Sequence, residues 1–259
     1  MIPVCVIGAG GRMGAFVLRA VEADDELSVG AALDRAGHPD LGKEVSPGVA
    51  LSADPAAALD ACRVTIDFST PDATLSALRE AAPRGVASVI ATTGFDAEGR
   101  AEIDEAAKRA AIVMAANYSL GVNALVALVE QAVQTLPDYE IEVLEMHHSR
   151  KVDAPSGTAL RLAEAAAAAR GQTLSDVARY HREGLVGPRP ADEIGMQTLR
   201  GGDVVGEHTV FLVGAGERLE LTHRALSREN FAVGAVRAAR WVTGRAHGLY
   251  GMTDVLGAS

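Results

Sequence analysis

The chain has 259 residues, 48% of them hydrophobic and 22% charged, which suits one large or two modest globular domains. Its 24 Lys and Arg against 34 Asp and Glu leave a net charge of -10, so no overall positive field draws nucleic acid or anionic lipid. No apolar run reaches the roughly 20 residues of a membrane span, and residues 8–14 interrupt the N-terminal apolar run before it resembles an export signal. A cytoplasmic protein with neither nucleic-acid nor membrane partners is expected. Cys5 and Cys62 are the two cysteines; lacking metal or redox spacing, both read as small buried residues.

Residues 2–7 are a short β-branched run leading into Gly8-Ala9-Gly10-Gly11-Arg12-Met13-Gly14, after which residues 15–21 take up a helical pattern. Strand, glycine turn and helix in that order let the backbone approach a pyrophosphate, whose charge the helix N-terminus stabilises. Glycine falls at 8, 11 and 14, with one more at 10, whereas the commoner G-x-G-x-x-G would place one at Met13. A second strand over 27–33 closes with Asp34, about 20 residues beyond Gly14, where an acid for the ribose hydroxyls is expected. Arg35 follows and can pair with a 2′-phosphate, so NADH and NADPH are both candidate cofactors.

The alternation continues with strands over 63–68, 87–91 and 111–116 and helices over 72–82 and 97–110. The strand ends carry Ser69-Thr70, Thr92-Thr93 and Asn117-Tyr118-Ser119, and ligands of open parallel sheets bind beyond such ends. Each of these residues also suits a turn or helix cap.

After Gly121 an amphipathic helix runs to Leu136, and a strand over 139–146 delivers His147-His148-Ser149-Arg150-Lys151-Val152-Asp153-Ala154-Pro155-Ser156-Gly157-Thr158. Histidine exchanges a proton near neutral pH, Lys151 can neutralise a carboxylate or donate a proton, and Ser156, Gly157 and Thr158 open a helix over 159–169 whose free N–H groups suit a carboxylate. If still extended, His147 and His148 face opposite ways, so one of them can serve to orient the loop. Residues 204–213 and 218–224 read as an antiparallel hairpin in which His208 and His223 are sheet residues, and 231–242 as a helix. The loop over 185–192 receives no function.

With these segments in view the chain resembles the bacterial 4-hydroxy-tetrahydrodipicolinate reductases, also called dihydrodipicolinate reductases, over nearly its whole length. The glycine turn, Ala115-Ala116-Asn117-Tyr118-Ser119-Leu120-Gly121-Val122-Asn123, the run from His147 to Thr158 and Gly202-Asp203-Val204-Val205-Gly206-Glu207-His208-Thr209-Val210 carry the resemblance. It implies an α/β fold: a Rossmann-type parallel-sheet dinucleotide-binding domain, discontinuous over 1–118 plus 229–259, and an α+β substrate and oligomerisation domain over 119–228 with a mixed or antiparallel sheet. By resemblance Gly8, Ala9, Gly10, Gly11, Arg12, Met13, Asp34, Arg35, Ala91, Thr92, Thr93, Ala115, Ala116, Asn117 and Tyr118 line the cofactor. His148, Gly157 and Thr158, with Ser156 beside them, hold a cyclic dicarboxylate, and His147 and Lys151 act as acid and base.

The implied reaction is NADH- or NADPH-dependent reduction at C4 of the ring with loss of the 4-hydroxyl as water, in lysine and diaminopimelate synthesis, by a homotetramer and with no metal. Ala91 stands where that family often has glycine and Asp34 where glutamate is frequent; both bear on cofactor affinity and preference. The competing readings are an amino- or imino-acid dehydrogenase of similar fold, which leaves the His147 to Thr158 run unexplained, and a nicotinamide-binding protein without catalysis.

Overall fold

The structure is a computed structural model and describes residues 1–257. The chain divides into two compact units, one of Met1–Ser119 with the chain from Arg228 onward, the other of Leu120–Ser227.

In chain order the first unit opens with β1 (Ile2–Ile7), α1 (Arg12–Glu22), β2 (Leu27–Leu33), β3 (Glu44–Ser46), β4 (Val49–Ser52) and α2 (Pro55–Asp60). It continues with β5 (Val64–Asp67), α3 (Pro71–Ala81), β6 (Ala87–Ile90), α4 (Ala97–Ala107) and β7 (Ala111–Met114). Among the described residues, β13-β7-β6-β5-β1-β2-β4-β3 form one sheet, where β13 is the late strand Gly248–Tyr250. Every pairing is parallel except that of β3 with β4. The chain thus winds outward both ways from β1, and the order reverses between β1 and β5, which is where open α/β sheets bind ligands. The expected Rossmann-type sheet is borne out; the short β3 and β4 and the helix α2 are additions that the pattern did not reveal.

Two glycines explain the first turn. Gly8 has φ +76, a conformation open to glycine, and a Cβ on Gly14 would lie 2.3 Å from the Gly8 carbonyl oxygen, so glycine at 14 is what lets α1 pack against the strand end. Cys5, Ile7, Leu33, Leu59, Cys62 and Ala77 form one core cluster of this unit, with both cysteines as buried free thiols.

The second unit contains α5 (Leu120–Thr135), β8 (Glu140–His147), α6 (Gly157–Ala169), α7 (Leu174–Val177), β9 (Ala178–Arg179), β10 (Ile194–Arg200), β11 (Gly206–Gly214) and β12 (Glu217–Ala225). Its sheet, ordered β12-β11-β8-β10-β9, is mixed: β8 pairs parallel with β10 and antiparallel with β11. On β8 the inward residues alternate, with Ile141 and Val143 joining Leu162 of α6, Met196 of β10 and Val210 of β11 in one core. The helix α8 (Glu229–Val242) returns to the first unit, followed by β13 and α9 (Met252–Leu256). A Cβ on Gly234 of α8 would lie 1.7 Å from the Tyr118 carbonyl oxygen, so this glycine permits the close approach. No helix among the described residues is long and apolar enough to cross a membrane.

Candidate active site

In the first unit the strand register makes the cleft. Ile7 is level with Leu33 and Asp67, Asp67 with Ile90, and Ile90 with Met114. The next residue on each strand, Gly8, Asp34, Phe68, Ala91 and Ala115, therefore begins a loop at the same edge of the sheet. A cleft of about 630 Å³ opens there, lined by Gly8, Gly11, Asp34, Arg35, His38, Ser69 and Thr70 among others.

The cleft fits a dinucleotide. No side chain caps α1, whose N-cap is Gly11, so its first-turn N–H groups stay available to a pyrophosphate. Asp34 lines the cleft, its Oδ2 accepting from the Gly10 N–H (2.9 Å) and its Oδ1 from the Arg35 N–H (2.8 Å). Arg35 is exposed beside it.

The other expected cofactor residues divide by orientation. Gly10, Arg12, Thr93 and Ala116 are exposed, Met13, Ala91 and Asn117 partly so, and Ala9 and Ala115 are buried. Thr92 is turned into the sheet end, its Oγ1 3.3 Å from Asp67 Oδ1 and accepting the Ser69 N–H at 3.2 Å. Tyr118 is 1% exposed and donates its hydroxyl to the carbonyls of Ile90 and Val113, so its side chain locks the neighbouring strand ends.

Sequence reasoning put Ser69 and Thr70 at a strand end on the ligand side of the sheet but did not single out Phe68; all three line the cleft. Beneath them lies Asp67, 2% exposed, whose Oδ1 accepts from the Ser69 hydroxyl (2.6 Å) and N–H (2.8 Å). Burial raises its carboxyl above the ordinary value despite these donors.

In the second unit the inward face of three adjacent strands turns polar at one end. Register pairs Glu145 of β8 with Thr198 of β10 on one side and His208 of β11 on the other, and His147 with Arg200. Glu145 is 1% exposed and accepts from Arg200 Nη1 (2.9 Å) and Nη2 (3.0 Å), Thr198 Oγ1 (3.2 Å) and the Ser156 N–H (3.1 Å). His147 Nδ1 lies 2.6 Å from its Oε2. Burial pushes the Glu145 carboxyl up, but Arg200 and His147 outweigh it and hold the group below the ordinary 4.5.

The loop that follows is tied down on both sides. Gly201 N–H donates to the His147 carbonyl (2.9 Å), Arg200 Nη2 to the Asp153 carbonyl (2.6 Å), and Lys151 Nζ reaches both Asp153 carboxylate oxygens at 2.8 Å. The Ala154–Pro155 bond is cis. Ser156 caps α6, its Oγ accepting the Ala159 N–H (3.1 Å) and lying 3.0 Å from His208 Nε2, so its side chain is already used by the protein. Gly157 and Thr158 form the first turn of α6, with Gly157 exposed, and His148 follows directly on β8, partly buried.

The structure thus gathers His147, His148, Lys151, Ser156, Gly157 and Thr158 around one strand end and one helix start. It adds Glu145, Arg200 and His208, which sequence reasoning did not place in the site. The available signal was Glu145 itself: it continues the inward face of Ile141 and Val143, and a carboxylate there requires partners.

Comparison with known proteins decides the family. Residues 2–118 match the family described as "Dihydrodipicolinate reductase, N-terminus" and residues 121–256 "Dihydrodipicolinate reductase, C-terminus". The 4-hydroxy-tetrahydrodipicolinate reductase of Anaeromyxobacter dehalogenans (strain 2CP-C) is 50% identical, covering 99% of this chain and 98% of its own. That of Thiobacillus denitrificans is 50% identical with the same coverage. The chain belongs to the dihydrodipicolinate reductase family. Among solved structures, the dipicolinate-bound dihydrodipicolinate reductase from Paenisporosarcina sp. TG-14 superposes with TM-score 0.80 at 24% identity, covering 98% of this chain and 99% of that one. An amine dehydrogenase from Mycobacterium smegmatis (TM-score 0.60, 16% identity, covering 96% of this chain and 94% of that one) shares the fold. The expected family and fold class are borne out, and with them the nicotinamide-dependent oxidoreductase; the family matches favour it over the amino-acid dehydrogenase and the silent binder.

Proposed function

We propose that this chain reduces 4-hydroxy-tetrahydrodipicolinate to tetrahydrodipicolinate with NADH or NADPH, releasing water, as a step toward diaminopimelate and lysine. Bound NADH or NADPH supplies the hydride. The first unit holds it: the open first turn of α1 faces the pyrophosphate, Asp34 takes the ribose hydroxyls, and Arg35 meets the 2′-phosphate when NADPH is used.

The second unit holds the ring. The N–H groups at Gly157 and Thr158 take one carboxylate at the positive end of α6, a 13-residue helix, and His148 contacts the substrate beside them. Loss of a C3 proton with the 4-hydroxyl, as water, gives the conjugated imine; hydride added at its C4 then leaves electron density spread between C3 and the ring nitrogen, which a proton delivered to C3 quenches. His147, held by Glu145 at 2.6 Å, and Lys151, held by Asp153 at 2.8 Å, are the acids at hand, and the lysine charge also stabilises the carboxylates.

The observation that carries this reading is the joining of an acid–base histidine to a helix N-terminus built for a carboxylate, within one short loop. Calorimetric titration with pyridine-2,6-dicarboxylate tests it. Thr158→Val with Gly157→Pro is expected to abolish binding while NADH still binds; unchanged dicarboxylate affinity would contradict the placement. The edge strand β12, exposed along most of its nine residues, supports self-association into the homotetramer that the family resemblance implies. The acidic net charge supports an enzyme without nucleic-acid partners.

A further inference from the structure

We infer that Glu145 is a positioning residue that fixes the tautomer of His147, protonated at Nδ1, so that Nε2 is the atom that exchanges a proton with the substrate. The inference rests on the reaction proposed above.

Glu145 is a carboxylate with 1% exposure, and such a group is costly unless an opposite charge and further hydrogen-bond donors surround it. It has them: the Arg200 guanidinium on both oxygens, the Ser156 N–H and the Thr198 hydroxyl. These partners hold it ionised, and an ionised carboxylate only accepts. The 2.6 Å contact to His147 Nδ1 therefore requires the proton on Nδ1 whether the ring is neutral or cationic. Four donors from two other segments, β10 and the start of α6, leave the carboxylate no freedom to rotate, so the ring is aimed as well as protonated.

The far side of the ring carries the complement. A Cβ on Gly206 would lie 2.9 Å from His147 Nε2, so glycine at this position keeps Nε2 clear. His208 packs edge-on against His147 with ring centroids 5.1 Å apart, which fixes the ring plane from a second direction. Carboxylate and imidazole then stand in the order in which an orienting acid serves a histidine in other enzymes, with Nε2 on the side away from the carboxylate.

Glu145→Gln is nearly isosteric but puts an amide N–H₂ where a carboxylate oxygen stood. The amide can donate to Nδ1, which moves the ring proton to Nε2 and inverts the role of that atom. The expected loss in kcat is on the order of 10² to 10⁴, by analogy with the same inversion in a serine-protease triad. Affinities for NADH and for pyridine-2,6-dicarboxylate are expected within about threefold of the parent, because the carboxylate touches neither.

The test reads both levels. Nitrogen-15 NMR of histidine-labelled protein at alkaline pH is expected to show His147, recognised as the signal absent from His147→Gln, with Nδ1 protonated and Nε2 bare, and the reverse in Glu145→Gln. An unprotonated Nδ1 in the parent overturns the inference, as does a Glu145→Gln enzyme that keeps kcat within about threefold. If Glu145→Gln does not fold, the parent tautomer alone decides. A parent enzyme with the expected tautomer but no reductase activity would instead refute the proposed reaction.

Discussion

His208 lies edge-on against His147 at 5.1 Å and 74°, with its Nε2 3.0 Å from the Ser156 hydroxyl oxygen, in a site where Glu145 accepts from His147 on the next strand. Burial drives His208 down from 6.5 to about 4, and the neighbouring His147 acts in the same direction. The fold therefore favours neutral His208, while the unfolded chain protonates it near its ordinary value. Stability from this residue is complete above about 6.5 and is lost as pH falls toward 4, by about 3 kcal/mol in all. Thermal melts between pH 7 and 4 are expected to fall less steeply for His208→Gln than for the parent; parallel curves would refute this.

Lys151 spans to both oxygens of Asp153 at 2.8 Å, which holds an otherwise flexible side chain in one place. Lys151→Ala is expected to lower kcat by on the order of 10²-fold or more while leaving NADH affinity nearly intact, since only proton transfer and ring-charge stabilisation are lost. Steady-state kinetics with parallel NADH titration checks it, and equal turnover would remove Lys151 from the mechanism.

Asp34 and Arg35 stand together at the end of β2, and their charges act oppositely on the two cofactors. Arg35→Ala is expected to weaken NADPH about tenfold, or about 1.4 kcal/mol, with little effect on NADH. Asp34→Ser is expected to weaken NADH more than NADPH, because the ribose loses its acceptor while the 2′-phosphate loses a repulsive neighbour. Fluorescence titration with each cofactor gives the ratio directly.

Gly14 and Gly206 carry different burdens. At Gly14 an added methyl meets backbone, 2.3 Å from the Gly8 oxygen and 2.5 Å from Ala9 Cα, so Gly14→Ala is expected to cost 1–3 kcal/mol or more and lower the melting temperature. At Gly206 it meets the His147 ring at 2.9 Å, so Gly206→Ala is expected to depress kcat more than stability. Melting curves beside kcat separate the two.

How far the sequence revealed these features follows from their locality. The glycine turn, Asp34 and the loop from His147 to Thr158 were legible because each is a contiguous run with its own chemistry. The strand β10 was not: its apolar face is only Ile194 and Met196, and its polar end, Thr198 and Arg200, has meaning only against Glu145, more than fifty residues earlier. Ser69 and Thr70 were read as a strand end, but Phe68 was read only as strand, since the register of β5 with β1 and β6 is what brings it into line with Gly8 and Ala91. His208 was correctly read as a sheet residue, yet strand pairing also sets it opposite Glu145 and within the site.

The most direct test of the account is oxidation of NADH and of NADPH, followed at the nicotinamide absorbance, with the substrate generated in place from pyruvate and aspartate semialdehyde by the preceding synthase. Oxidation that depends on the synthase, and not on ammonia, is the expected result. Tight binding of either cofactor with no synthase-dependent oxidation would contradict it.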